Sequence, residues 1–232
     1  MIEHLGEKLV LSFKLFGMEL QLDIITILMT WVMMIIIVIF ALWLRRGLGQ
    51  DVEEEPSRRL VILESLMDMF DQQLMSGFES EYLRDSLFSF MSTLLLFLLL
   101  GNWISVIPGL QSPTQDLNVP FSLALLVFIM SHYYGMKVNG PGTYLKSFFE
   151  PYPFMAPLNL FSEIAKPLSH AFRLFGNVFG GTVLITVVMS FQLLRFIFPA
   201  FLQMFYGLFI GAIQAFVFAL LAVAYINVAV EQ

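Results

Sequence analysis

Cysteine is absent from the 232 residues, which excludes disulfides and thiolate metal sites and leaves the redox compartment open. Charge is scarce too: Asp, Glu, Lys and Arg make up 13% of the chain, against roughly 25% in soluble domains. The formal charge of −6 comes largely from acids outside the apolar runs, notably Asp51 to Glu55, so no basic patch suggests nucleic acid as a partner. Gly-rich phosphate loops, internal repeats and low-complexity tracts are missing. The apolar runs also lack the closely spaced His, Asp or Glu ligands of a metal centre and any evident nucleophile–base pair, which argues against a membrane-embedded enzyme. The opening MIEHLGEKLVLSF has no basic head followed by an apolar run and a small-residue cleavage site, so no removable signal peptide is expected.

What is abundant is oil. Hydrophobic residues are 58% of the chain, grouped in long runs joined by short polar links, and this predicts one polytopic membrane domain over residues 1–232. After an outer N-terminal segment, 1–23, the uncharged run Ile24 to Leu44 is long enough to cross a hydrocarbon core of roughly 30 Å. An inner link, 45–86, follows, in which LVILESLMDMFDQQL (Leu60 to Leu74) mixes apolar and acidic residues as a helix lying on the membrane surface would. A second span from Leu87 to Ile107 and a third from Phe121 to about Tyr134 are separated by the turn-rich QSPTQDLNVP. The last two segments, within 156–230, exceed the length of one crossing. The expected fold class is therefore all-α, with about five transmembrane helices plus a surface amphipathic helix.

Basic residues set the expected orientation. Arg45, Arg46, Arg58, Arg59, Arg84, Lys137 and Lys146 fall in alternate links, with only Lys8, Lys14 and Arg195 on the other side. The positive-inside rule then puts the N-terminus outside and the C-terminus inside.

The fourth segment, about Ala156 to Phe191, carries the most information. A continuous helix there would be about 54 Å long, so it must tilt, bend at Pro167 or run partly along the interface. With Arg173 at zero, Asn159, Ser162, Glu163, Lys166, Ser169, His170 and Asn177 all fall on one arc of about 120°. Such a stripe lines an aqueous path or faces a polar partner. Glu163 and Lys166, three residues apart, could simply pair, and Lys166 could snorkel. Arg173 differs, because it has no acid within one helical turn, and an arginine near mid-membrane costs about 2.5–3.5 kcal/mol on insertion scales. The fifth segment offers no acid before Val230; its Gln203, Gly207, Gly211, Gln214 and Tyr225 share a face suited to close packing through Gly207-x-x-x-Gly211. A second protein is expected to provide the counter-charge.

RLFGN (Arg173 to Asn177), KPLS (Lys166 to Ser169), IQAFVF (Ile213 to Phe218), SPTQDLNVPFSLAL (Ser112 to Leu125) and HYYGMKVNG (His132 to Gly140) together resemble subunit a of the F-type ATP synthase, the membrane stator of the F0 sector. The resemblance covers most of the chain from about Leu87 onward. It implies that the last two helices form a steeply tilted hairpin against a rotating ring of c subunits, each with a membrane carboxylate. It implies further that Arg173 faces that carboxylate, and that two offset half-channels meet the ring on either side of it. Proton or sodium flow would then drive rotation and ATP synthesis. The partners implied are the c-ring, the peripheral-stalk b subunits, the rest of the complex and lipid, in a bacterial-type plasma membrane. No cofactor is expected, and nucleotide chemistry would belong to the soluble head, so this chain is not an enzyme by itself.

The resemblance also implies ion-translocation roles for Asn177, Gln214, Glu163 and Asp116, although Asp116 could equally be a loop aspartate capping the next helix. Many family members carry a glutamate nine residues after the arginine; here Thr182 stands there. His170 is a candidate for part of the ion relay, with a hydrogen-bonded structural histidine as the alternative. His132 is expected to be structural or interfacial. A self-contained transporter binding an anion through Arg173, His170 and Glu163 is the competing reading, and it would call for inverted repeats that the sequence does not display.

Overall fold

The computed structural model describes residues 10–15, 18–45, 58–78, 80–107, 110–150, 152–191 and 198–231. Arg46, the acidic stretch Asp51 to Glu55, Pro108-Gly109 and Arg195 lie outside these. Strands β1 (Val10–Leu15) and β2 (Met18–Asp23) pair antiparallel, with Val10 opposite Asp23 and Leu15 opposite Met18. This hairpin adds to the expected outer segment, and the alternating MELQLD was its signal in the sequence. The body is helical: α1 (Ile24–Arg45), α2 (Arg58–Gln73), α3 (Glu81–Trp103), α4 (Asn118–Asn139), α5 (Pro141–Ser147), α6 (Ala156–Met189), α7 (Phe198–Met204) and α8 (Gly211–Glu231). Five stretches are long and apolar enough to cross a membrane.

The expected spans hold, with shifted ends. The second begins at Glu81 rather than Leu87 and so includes Arg84, whose Nη2 donates to Asp71 at 2.6 Å and ties the span to the surface helix α2. The third runs from Asn118 to Asn139, well beyond Tyr134, because Gly140 with φ of 80° stops it at a geometry that disfavours side chains. The fourth stays continuous through buried Pro167 over 34 residues, about 51 Å. The fifth is interrupted: a π-helical stretch, Phe205–Ile210, joins α7 to α8.

Helix α8 is the central post, packed between α3 and α4, while α4 also packs on α6. Small residues permit this. Ala215, Ala219 and Ala222 are fully buried against Leu87, Leu94 and Val127 of the shared core, an arrangement in which helices without a hydrophobic drive in lipid gain contact area by close approach. Side-chain amide bonds lock the ends. Asn139 Nδ2 donates to Val230 O at 2.7 Å, and Asn227 Nδ2 donates to Gly77 O. By contrast, α1 exposes Trp31, Ile35, Val38, Ile39 and Leu42, as a helix facing lipid or another subunit does.

Candidate functional site

Two polar cavities lie along α6. The first is a crevice between α6, α3, the turn after α3 and the α7–α8 region, lined by Asn102, Ser105, Gln115, Asn177, Thr182, Gln203, Tyr206 and Gln214 among others. Its volume of about 40 Å³ exceeds the roughly 10–15 Å³ that one water needs. Among the described residues, five carboxamides and no acid line it. The glycines expected to pack helices do so at its wall: a Cβ at Gly207 would come within 2.4 Å of Val106 Cγ2, one at Gly211 within 2.8 Å of Asn102 Cβ, and one at Gly181 within 2.8 Å of Tyr206 Cδ1. The π stretch adjoins this wall, and π-bulges leave carbonyls available to side chains. Trp103 Nε1 donates to Leu208 O at 3.2 Å and Asn102 Nδ2 to Gly211 O at 2.9 Å. Asn102, only 2% exposed, also accepts from Thr114 Oγ1 at 2.8 Å, while Gln203 Nε2 donates to Ser105 O. These bonds hold amide groups in place inside an apolar bundle.

The second cavity, a wide vestibule between α5 and the first turns of α6, is lined by Ser147, Phe148, Glu150, Asn159, Ser162, Glu163 and Lys166. Asn159 Nδ2 shapes it by donating to Phe148 O at 2.9 Å and Glu150 O at 3.2 Å. Glu163 is buried, with Lys166 Nζ donating to its Oε1 and His132 Nε2 standing 4.0 Å from its Oε2. The expected Glu163–Lys166 pair is thus present. Burial pushes the Tyr144 phenol beneath it up to about 12, with the Glu163 charge adding to the effect.

Arg173 stands between the cavities, about 6 Å along the helix axis from Asn177 and about 15 Å from Glu163. It is exposed, and among the described residues no hydrogen bond or ion pair reaches it. Ser162, Ser169, Gly176 and Gly180 are exposed as well, and a Cβ on either glycine would meet nothing within 4 Å. Small residues around a lone cation leave room for a close partner.

The other candidates separate. Asn177 and Gln214 come together in the crevice. His170 is 1% exposed, its Nε2 donates to Phe218 O at 3.1 Å, its ring stacks on Phe218 at 3.6 Å, and its Nδ1 has no partner. Asp116 lies away from both cavities, in a cleft with Asp23, Thr30 and Asn118. There its Oδ1 accepts from Asn118 N at 3.0 Å and from Asn118 Nδ2 at 2.9 Å. Asn102 and Gln115 were missed by sequence reasoning. Asn102 alone within LLLGNW was the available signal, since a polar residue deep in an apolar run is a functional candidate by default.

Residues 27–227 match the family described as ATP synthase A chain. The chain is 33% identical to the ATP synthase subunit a of Desulforamulus reducens over 90% of its own length and 80% of that protein. It is 37% identical to ATP synthase subunit a 1 of Crocosphaera subtropica over 87% and 84%, and 32% identical to the sodium ion specific subunit a of Propionigenium modestum over 88% and 73%. An unpartnered arginine between two polar cavities, on a helix of this sequence, therefore sits in a known framework: the chain belongs to the ATP synthase A chain family, a multi-pass membrane subunit of the ion-translocating sector of the F-type ATP synthase.

Proposed function

We propose that the crevice and the vestibule are the two half-channels of a stator and that Arg173 is the barrier between them, facing the carboxylates of a c-subunit ring. The observation that carries this is the cation without a counter-charge among the described residues, exposed among small residues between two polar cavities. With the N-terminus outside, the crevice opens outward and the vestibule inward. An ion enters the crevice past Asn177 and Gln214, neutralises a ring carboxylate, travels round with the ring and leaves past Glu163. The carboxamides do not titrate, so passage through the crevice runs along water held by Asn102, Gln115, Asn177 and Gln203 rather than through a side-chain acid at Thr182. His170 contributes by fixing the α6–α8 crossing beside Arg173.

Arginine suits the barrier because the guanidinium keeps its proton at any working pH, whereas a desolvated lysine can lose it. A cation within reach lowers a carboxylate pKa by about 1–3 units, so each ring site passing Arg173 is driven to release its ion. Every elementary charge crossing is worth about 2.3 kcal/mol per 100 mV, and this becomes torque only where direct passage between the half-channels is blocked.

In inverted vesicles carrying the whole complex, Glu163→Gln and Gln203→Leu are each expected to slow ATP-driven acidification about tenfold or more while the complex still assembles. Running the assay with and without sodium names the ion. Normal pumping in both variants would contradict the assignment of the cavities. A self-contained anion transporter has no observation in its favour, since among the described residues no cavity joins Arg173 to His170 and Glu163.

A further inference from the structure

The half-buried histidine on α4, His132, occupies a place that a packing residue does not need. It reaches Glu163 across the α4–α6 interface, and its ring is enclosed by Phe128, Tyr144 and Phe148 at centroid distances of 4.1, 5.8 and 6.3 Å. Its tautomer follows from its partners. Nδ1 lies 3.0 Å from Phe128 O and 3.3 Å from Ser131 Oγ; the carbonyl only accepts and the Ser131 hydroxyl spends its hydrogen on Phe128 O at 2.8 Å, so Nδ1 carries the hydrogen in the neutral ring. The lone pair is then on Nε2, which faces Glu163 Oε2 at 4.0 Å. Two acceptors turned toward each other gain nothing until a proton is placed between them; one proton, on either atom, satisfies both. The separation is closed by a small rotation of the Glu163 carboxyl or by one water.

We propose that His132 and Glu163 form a shared one-proton site at the inner end of the ion path, with His132 exchanging that proton with the carboxylate. In the exchange the proton leaves Glu163 Oε2 for His132 Nε2, giving a carboxylate and an imidazolium, and returns by the reverse step. The titratable groups facing the pair are Lys166 on α6, which holds the other Glu163 oxygen, and the neutral phenol of Tyr144 on α5. Tyr225 of α8 stands by Lys166, its ring centroid 6.0 Å from Nζ, and edge-on to His170. Lys137, also on α4, is taken up by Tyr82, Tyr133 and Tyr134. Lys166, bonded to the other oxygen, keeps the Glu163 carboxyl aimed at His132.

This inference rests on the half-channel reading, so its test carries a control for that reading. The whole ATP synthase is assayed in inverted vesicles, where the inner end faces the medium. His132→Gln is expected to assemble and hydrolyse ATP but to acidify about tenfold more slowly, and to flatten the dependence of the rate on medium pH. The double variant His132→Gln/Glu163→Gln is expected to be no slower than Glu163→Gln alone, because residues acting as one unit do not add. An unchanged rate and pH profile for His132→Gln, multiplicative losses in the double variant, or transport of sodium in place of protons overturns the proposal. If Arg173→Ala pumps normally in the same vesicles, the half-channel reading fails instead. Should His132→Gln not assemble, nitrogen NMR of the native complex with only this chain labelled decides. A neutral Nδ1–H tautomer whose Nε2 titrates in step with Glu163 is expected, and an Nε2–H tautomer overturns the proposal.

Discussion

Arg173→Ala is expected to abolish ATP-driven ion pumping, by about a hundredfold or more, while leaving the complex assembled and its ATP hydrolysis measurable. Assembly survives because Arg173 makes no hydrogen bond or ion pair to the described residues and is exposed, so its removal opens no cavity and orphans no partner within the chain. It also relieves the insertion cost of a mid-membrane cation, about 2.5–3.5 kcal/mol. What disappears is the fixed charge that makes each ring carboxylate release its ion and that repels cations between the crevice and the vestibule. Arg173→Lys is the sharper variant. It keeps a cation in water-like surroundings but not against a dry helix face, where the ammonium can shed its proton, so pumping is expected to fall well below that of the native chain without vanishing. Vesicle acidification alongside ATP turnover measures both, and normal pumping by the alanine variant would make the arginine structural.

Gly135→Val is expected to have the largest effect on stability. Even a Cβ at this position of α4 would come within 2.6 Å of Ala229 O on α8 and 2.6 Å of Tyr144 Cε2 on α5. A side-chain neighbour can give way, but the Ala229 carbonyl belongs to the backbone of the central post, and Tyr144 is 2% exposed with nowhere to swing. Overpacking of this kind typically costs about 1–3 kcal/mol, and valine, with two further methyls, lies at or beyond the top of that range. The expected outcome is a sharp drop in the amount of chain found in the assembled complex, read by quantifying the subunit in purified enzyme. Normal incorporation and thermal stability would show that α4 and α8 separate more easily than their contact implies.

The spans were legible because apolar runs in a bilayer have one helical solution, and the stripe around Arg173 because helical periodicity maps sequence onto a face. Less was legible where partners lie far apart in sequence. Glu163 and Lys166 are three residues apart and their pairing could be read, whereas His132 meets Glu163 only because α4 crosses α6. Asn102 and Gly211 meet across 109 positions, and nothing local marks the pair. Gln115 and Asp116 are adjacent, yet only Gln115 lines the crevice while Asp116 enters a separate cleft, a difference of side-chain direction that the sequence does not mark. The π-helical stretch Phe205–Ile210 left no periodic mark, since one extra residue in a turn is invisible in so uniformly apolar a run.

The absence of cysteine from the chain makes the central claim directly measurable. Single variants Asn177→Cys and Gln203→Cys in the crevice, and Asn159→Cys and Ser162→Cys in the vestibule, can be exposed to a membrane-impermeant thiol reagent from one side of sealed vesicles at a time. Two half-channels separated by Arg173 predict that the first pair reacts only from the outer side and the second only from the inner side. Reaction of all four from a single side, or of either pair from both sides, would contradict the account.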